Sequence, residues 1–136
     1  MLYHTAICVE DVERSATFYD SVLGTLGYRR VHNLTPEAVS FGKSRGEFWI
    51  QSPAHQHATG PSRGAHFAFA GPDRATVDRF YAAALAAGGE GEAAPAAHPE
   101  YHPDYYGAVI ADLDGHKIEI LVHTVYAGEG LTRDGV

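Results

Sequence analysis

The chain is poor in several things that would each allow a different kind of protein. It has a single cysteine, Cys8, so an internal disulfide framework and a multi-cysteine zinc site are both excluded. Ten Lys and Arg stand against seventeen Asp and Glu, a formal charge of −7. That balance argues against a surface built for phosphate backbones, and so against nucleic acid as a partner. No apolar run approaches the ~20 residues a membrane-crossing helix needs; the longest apolar-leaning stretch is 80–87. The opening MLYHTAICVED has no basic segment and soon meets Glu10 and Asp11. A secretory signal is therefore not expected, and a reducing, cytoplasmic setting is. What remains is 136 residues, 45% hydrophobic. That is too apolar for a disordered chain and long enough for one core, so one domain is expected.

Histidine is abundant, with nine in the chain. A histidine-rich surface and a metal site both fit that number, so position has to decide. The chain also repeats itself. Shifted by 62 residues without a gap, His4 meets His66, Ala6 meets Ala68 and Asp11 meets Asp73. Phe18 and Tyr19 then meet Phe80 and Tyr81, and Gly27 meets Gly89. Two similar halves are expected, about 1–60 and 61–136. Each opens with an alternating stretch, residues 2–9 and 64–70. Each continues with a helix capped by an aspartate, Asp11 or Asp73, and stopped by glycine. Three strand candidates follow each helix, at 28–34, 38–42 and 47–51, then at 91–97, 106–112 and 116–123. The Asp114-Gly115 step is a strong hairpin signal. Residues 52–63, rich in Gly, Pro and His, read as a linker. The fold class is α+β, built from two tandem βαβββ modules.

Alternation assigns strand faces. In the first strand Tyr3, Thr5, Ile7 and Val9 share one face, and His4, Ala6 and Cys8 share the other. In the fifth, Phe67 and Phe69 lie opposite His66, Ala68 and Ala70. In the last, Ile118, Ile120 and Val122 lie opposite Lys117, Glu119, Leu121 and His123. A histidine among alanines, at the same place in both repeats, leaves an open concavity where an ordinary core would be filled. The plain alternative is that these are half-exposed strand residues without a role. Two imidazoles and one carboxylate, His4, His66 and Glu119, match a divalent first-row metal. They suit a facial triad for Fe(II), or a Zn-, Mn- or Ni-type site with open positions.

The terminal segment YYGAVIADLDGHKIEIL and the opening HTAICVEDVERSATFY resemble the vicinal oxygen chelate superfamily. That superfamily includes glyoxalase I, extradiol dioxygenases and bleomycin-resistance proteins. The likeness covers nearly the whole chain, with Leu113 where the family's DPDG turn has proline. It implies a cupped eight-stranded mixed sheet around one metal, with His4, His66 and Glu119 as ligands and a fourth position near Trp49. A glyoxalase I-like enzyme would carry a glutamate there; the chain has Trp49, Ile50 and Gln51 instead. The resemblance implies a small-molecule substrate with two adjacent oxygens and isomerase, lyase or extradiol dioxygenase chemistry. The rival reading is a metal-free protein that sequesters a ligand. A homodimer is also implied, and the free sheet edges of two small modules call for one. No membrane partner is expected.

His102 and Tyr106 are the acid–base candidates near the cup, histidine because its ordinary pKa suits proton transfer near neutrality. Trp49, Gln51, Arg63 and Cys8 are the substrate-contact candidates, Arg63 for an anionic group. His116 is read as a cap of the hairpin turn, and His55 and His57 as plain loop.

Overall fold

The computed structural model describes residues 1–58, 60–62 and 64–122. The chain runs β1 (Thr5–Cys8), α1 (Val12–Gly24), β2 (Arg29–Leu34), β3 (Ala38–Gly42) and β4 (Phe48–Gln51). It then repeats the plan with β5 (His66–Ala70), α2 (Arg74–Ala86), β6 (Glu90–Ala97), β7 (Tyr106–Ala111) and β8 (Lys117–Val122). Two βαβββ modules thus follow one another, as the repeat predicts. Each forms a four-stranded mixed sheet, ordered β1-β4-β3-β2 and β5-β8-β7-β6. In both, the first strand lies parallel to the fourth and the other pairs are antiparallel. No helix is long and apolar enough to cross a membrane.

The helices begin the same way for the same reason. The Asp11 carboxylate accepts the Arg14 N–H at 3.0 Å, and Asp73 accepts the Thr76 N–H at 2.8 Å. Each satisfies a backbone donor that the first turn would leave unpaired. Each helix is followed by glycine in the left-handed region, Gly27 at φ +77 and Gly88 at φ +99, a conformation that costs glycine nothing.

One apolar cluster serves both modules. It joins Ile7, Phe41, Phe48 and Ile50 of the first sheet to Ile110, Ile118 and Ile120 of the second, with Tyr19, Leu23, Val77 and Phe80 from the helices. Phe48 is the hinge of this packing, its ring 5.8 Å from Phe67 and 5.5 Å from Phe69. Truncating such a side chain costs about 3–5 kcal/mol. Both sheets therefore turn one face to a shared core and leave the other face open.

The hairpin between β7 and β8 fastens the modules together with polar groups. Asp112 accepts hydrogen bonds from the Tyr19 hydroxyl on α1 and from the N–H groups of Asp114 and His116. The His116 ring, fully buried, meets Asp112 through Nδ1 at 2.8 Å and Ser62 Oγ through Nε2 at 3.0 Å. Ser62 Oγ also accepts the Cys8 N–H at 2.9 Å. Asp114 accepts from the Glu10 N–H and the Ser15 hydroxyl. His116 thus caps the turn, and through Ser62 it is linked to the Cys8 N–H of the other module.

Some boundaries differ from expectation. β1 starts at Thr5 rather than residue 2, because Met1, Leu2 and Tyr3 find no partner strand and lie exposed. His4 therefore sits just ahead of the strand. β8 starts at Lys117, since His116 belongs to the turn. The weak strand near 91–97 is a full one, interrupted by two register shifts. Arg63, His123 and the tail beyond it lie outside the described residues.

Candidate functional site

Register places the repeat's chemistry in matching rows on the two open faces. Across the first sheet Ala6, Trp49, Ser40 and His32 are neighbours in turn. Across the second the corresponding row is Ala68, Glu119, Val109 and Ala93. Trp49 is thus the positional counterpart of Glu119, one strand over from Ala6 as Glu119 is from Ala68.

The second face holds the more reactive group of side chains. His66 Nε2 lies 3.0 Å from Glu119 Oε1, and the Tyr105 hydroxyl donates to Glu119 Oε2 at 2.6 Å. Burial, helped by that bond to a carboxylate, keeps the Tyr105 hydroxyl protonated well above the usual tyrosine range. It is therefore a fixed donor that orients Glu119. Gly107 makes this possible. A Cβ there would stand 2.5 Å from the Tyr105 hydroxyl oxygen, so only glycine lets the ring lie back across the strand. Beside this group is a cavity of about 290 Å³, lined by His98, Tyr101, Tyr105, Ala93 and Val109 with His66 and Glu119 at one end.

On the first face Trp49 stacks on His32 with centroids 5.1 Å apart, and the His4 ring meets Trp49 edge-on at 6.3 Å. His32 Nδ1 is 2.8 Å from the buried Ser40 Oγ. The packing repeats the device of the other module, since a Cβ on Gly46 would stand 2.6 Å from Ser40 Oγ and 3.0 Å from Trp49 Nε1.

The structure therefore brings His66 and Glu119 together and leaves His4 on the other module's face. Among the described residues, one group of three candidate ligands has all its atoms within 4.8 Å: Asp112, Asp114 and His116. Every ligand atom in that group already holds a hydrogen bond, within the turn or across to Glu10, Ser15, Tyr19 or Ser62, and a cation would have to displace these. Tyr106 faces away from Glu119. Its hydroxyl donates to Asp78 of α2 at 2.7 Å, and the Arg74 guanidinium covers its ring at 4.7 Å. Alternation on β7 gives the open face to Tyr105 instead. His102 sits in the turn before β7, where its Nδ1 accepts the Asp104 N–H; of His98 and His102, it is His98 that lines the cavity. Cys8 is fully buried, and burial and then Asp114 push its thiol up, so it meets no substrate within the single chain. Gln51 follows Trp49 on the same face, half-buried beside Ala38 and Cys8. His55 is exposed in the linker turn, and His57 is exposed with φ 56.

Residues 2–120 match the family model for the glyoxalase/bleomycin resistance protein/dioxygenase superfamily. The chain belongs to this superfamily. A glyoxalase/bleomycin resistance protein from Albidiferax ferrireducens is 32% identical to it, with TM-score 0.75 over 88% of this chain and 96% of that one. A glyoxalase-related enzyme from Fulvimarina pelagi is 22% identical, with TM-score 0.74 over 100% and 95%. A lactoylglutathione lyase from Agrobacterium tumefaciens is 21% identical, with TM-score 0.71 over 94% and 97%. The last two show the fold alone. No curated protein matches significantly.

Reading from sequence missed Tyr105, His98 and His32. Tyr105 was within reach, because it shares parity with Gly107 and Val109 on a strand whose partner carries Glu119. His98 belongs to a turn with no period. His32 is reached only through the register shift that follows Arg30 in β2.

Proposed function

We propose that this superfamily member is a divalent-metal-dependent enzyme acting on a small molecule through two adjacent oxygens, by isomerase, lyase or extradiol-type chemistry. The observation that carries the reading is the His66–Glu119 pair. Two donors in adjacent corners of one octahedral ion, each at a bond length of about 2.1 Å, lie about 3.0 Å apart, and these two, hydrogen-bonded to each other in the structure, have that spacing at 3.0 Å. When bound, the ion supplies a Lewis acid to both substrate oxygens. Zn, Fe, Mn and Ni all suit a donor set of two imidazoles and one carboxylate.

The chain's residues divide the remaining work. His66 and Glu119 hold two positions, and Tyr105 keeps the carboxylate turned toward His66. His4 supplies the third position. Because each chain turns its two open faces away from a common core, we assign that His4 to a second copy. The first face of one chain would then lie over the second face of the other, in a homodimer. Trp49 stands at the register position where a second carboxylate would be offered to the ion, so proton transfer would fall to a neighbouring group. His98, on the cavity wall, is one candidate; His102 is the other.

The test is elemental analysis of tag-free protein alongside light scattering. The expected result is about one ion per chain, loss of that ion in His4→Ala and Glu119→Gln, and a mass twice the 14.6 kDa of the chain. Protein that binds none of the four metals on direct titration would overturn the reading. It would favour instead a metal-free ligand-sequestering protein, a role the ring-lined cavity beside Glu119 also suits.

A further inference from the structure

A second cavity, of about 330 Å³, lies at the seam of the two modules. Its first-module wall comes from the turn after α1, with Leu26 and Tyr28, and from the turn between β3 and β4, with Lys43 and Glu47. Residues 70–72, which lead from β5 into α2, close it from the second module. His66 and Ala70 are the opposite ends of β5, so roughly 13 Å of strand separates this cavity from the His66–Glu119 pair.

Two opposite charges stand on its wall. Lys43 and Glu47 belong to one short turn, yet no ion pair joins them. Among the described residues neither side chain has an ion-pair or hydrogen-bond partner. Lys43 lies over the end of α1, its Cε 3.9 Å from where a Cβ on Gly27 would stand. A lysine there complements the negative end of the helix dipole, which accounts for Lys43 by itself. It does not account for Glu47, since the same dipole disfavours a carboxylate unless a further cation joins it. Burial, and then the Glu47 charge, push the Tyr28 hydroxyl up, so it stays a protonated donor near that carboxylate. The rest of the wall is apolar, formed by Leu26, the Tyr28 ring and Pro72.

The charges narrow the ligand. A lone anion drawn to Lys43 would also meet Glu47 and the carbonyl end of α1, and a lone cation drawn to Glu47 would also meet Lys43. A molecule carrying both charges leaves neither uncompensated. The volume is near the lower end for small-molecule sites, which fits a molecule the size of an amino acid. We propose that this cavity binds a small zwitterion, an α-amino acid with an apolar side chain, its carboxylate toward Lys43, its ammonium toward Glu47 and its side chain against Leu26 and Pro72. The site is independent of the proposed function, which uses the His66–Glu119 pair and His4.

Calorimetric titration of chelator-treated, full-length protein with three probes tests this. L-Leucine carries both charges, isocaproate is leucine without its ammonium, and isoamylamine is leucine without its carboxylate. L-Leucine should bind more tightly than either by about tenfold or more. Lys43→Met keeps the stem and removes the charge, and Glu47→Gln keeps the shape; each should weaken leucine by about tenfold. The two losses should differ in kind: Lys43→Met brings isoamylamine level with leucine, and Glu47→Gln brings isocaproate level with it. Lys43 is exposed and Glu47 half-buried, so neither change disturbs the core, and melting curves check that both variants fold. No leucine binding in the millimolar range, equal binding of a singly charged analogue by the parent protein, or indifference of leucine to both substitutions would each overturn the proposal. Leucine binding by protein that takes no metal would uphold it while removing the metal-dependent reading. Metal binding without leucine binding would do the reverse.

Discussion

The two modules share a strand order, a helix cap and a packing face, yet their open faces hold different chemistry. At equivalent register positions one carries Glu119, held by Tyr105 and facing His66, and the other carries Trp49, stacked on His32. The backbone solution is the same, because glycine makes room in both: Gly107 for Tyr105 and Gly46 for Trp49. A duplicated frame keeps the core-facing half of each strand, where substitution is costly. It frees the open half to diverge. Here the divergence leaves one carboxylate, Glu119, where an exact duplication would carry two.

The sharpest way to break this contrast is at Glu119. Glu119→Gln keeps the shape and removes the charge, and metal affinity should fall by about 100-fold or more, measured by competition with a chelating dye. The converse change, Trp49→Glu, should raise affinity if the two faces meet in a dimer and leave it untouched if they do not.

The next largest effect is expected where the modules join. His116→Ala leaves the buried Asp112 carboxylate without its imidazole partner. The cost should be about 3 kcal/mol in denaturant unfolding, with loss of both modules in a single transition. The same contact predicts an acid limb. Burial alone would raise the Asp112 carboxyl, but hydrogen bonds from His116 and Tyr19 outweigh it and hold the group below the usual range. A group whose folded value is depressed stabilises fully above its unfolded value, about pH 3.9. That contribution is lost as pH falls through the lower folded value. In Asp112→Asn the corresponding part of the acid limb should disappear.

Tyr105→Phe is a smaller and more selective change. It removes the donor to Glu119 without emptying the space, so metal affinity should fall by about tenfold while the melting temperature moves little. The same substitution at Tyr106 should leave metal affinity unchanged, since that hydroxyl serves Asp78. The smallest effects are expected where the modules are alike. Asp11→Ala and Asp73→Ala should each cost about 1 kcal/mol, because each removes one helix cap of the same kind.

Much of this is legible in the sequence. The 62-residue offset, the aspartate caps and the period-two faces are local properties of the backbone. Local rules therefore placed ten elements and the His66–Glu119 face. Legibility failed where a residue's role depends on a contact far along the chain. Tyr105 and Tyr106 are adjacent and chemically alike, and only the start of β7 decides which one faces Glu119. The family resemblance puts a fourth position near Trp49, but the stacking of Trp49 on His32 follows from a register shift that no local pattern announces.

The sequence by itself determined the repeat and the α+β class, since each depends on residue types at fixed spacing, and it carries the match to the superfamily over residues 2–120. The tertiary structure alone decided that His4 and the His66–Glu119 pair lie on different open faces. It also decided that Cys8 is buried and that Asp112 and His116 join the modules. These are outcomes of packing. One shared core sets how the two sheets face, and that core is assembled from side chains more than a hundred residues apart, from Ile7 to Ile120.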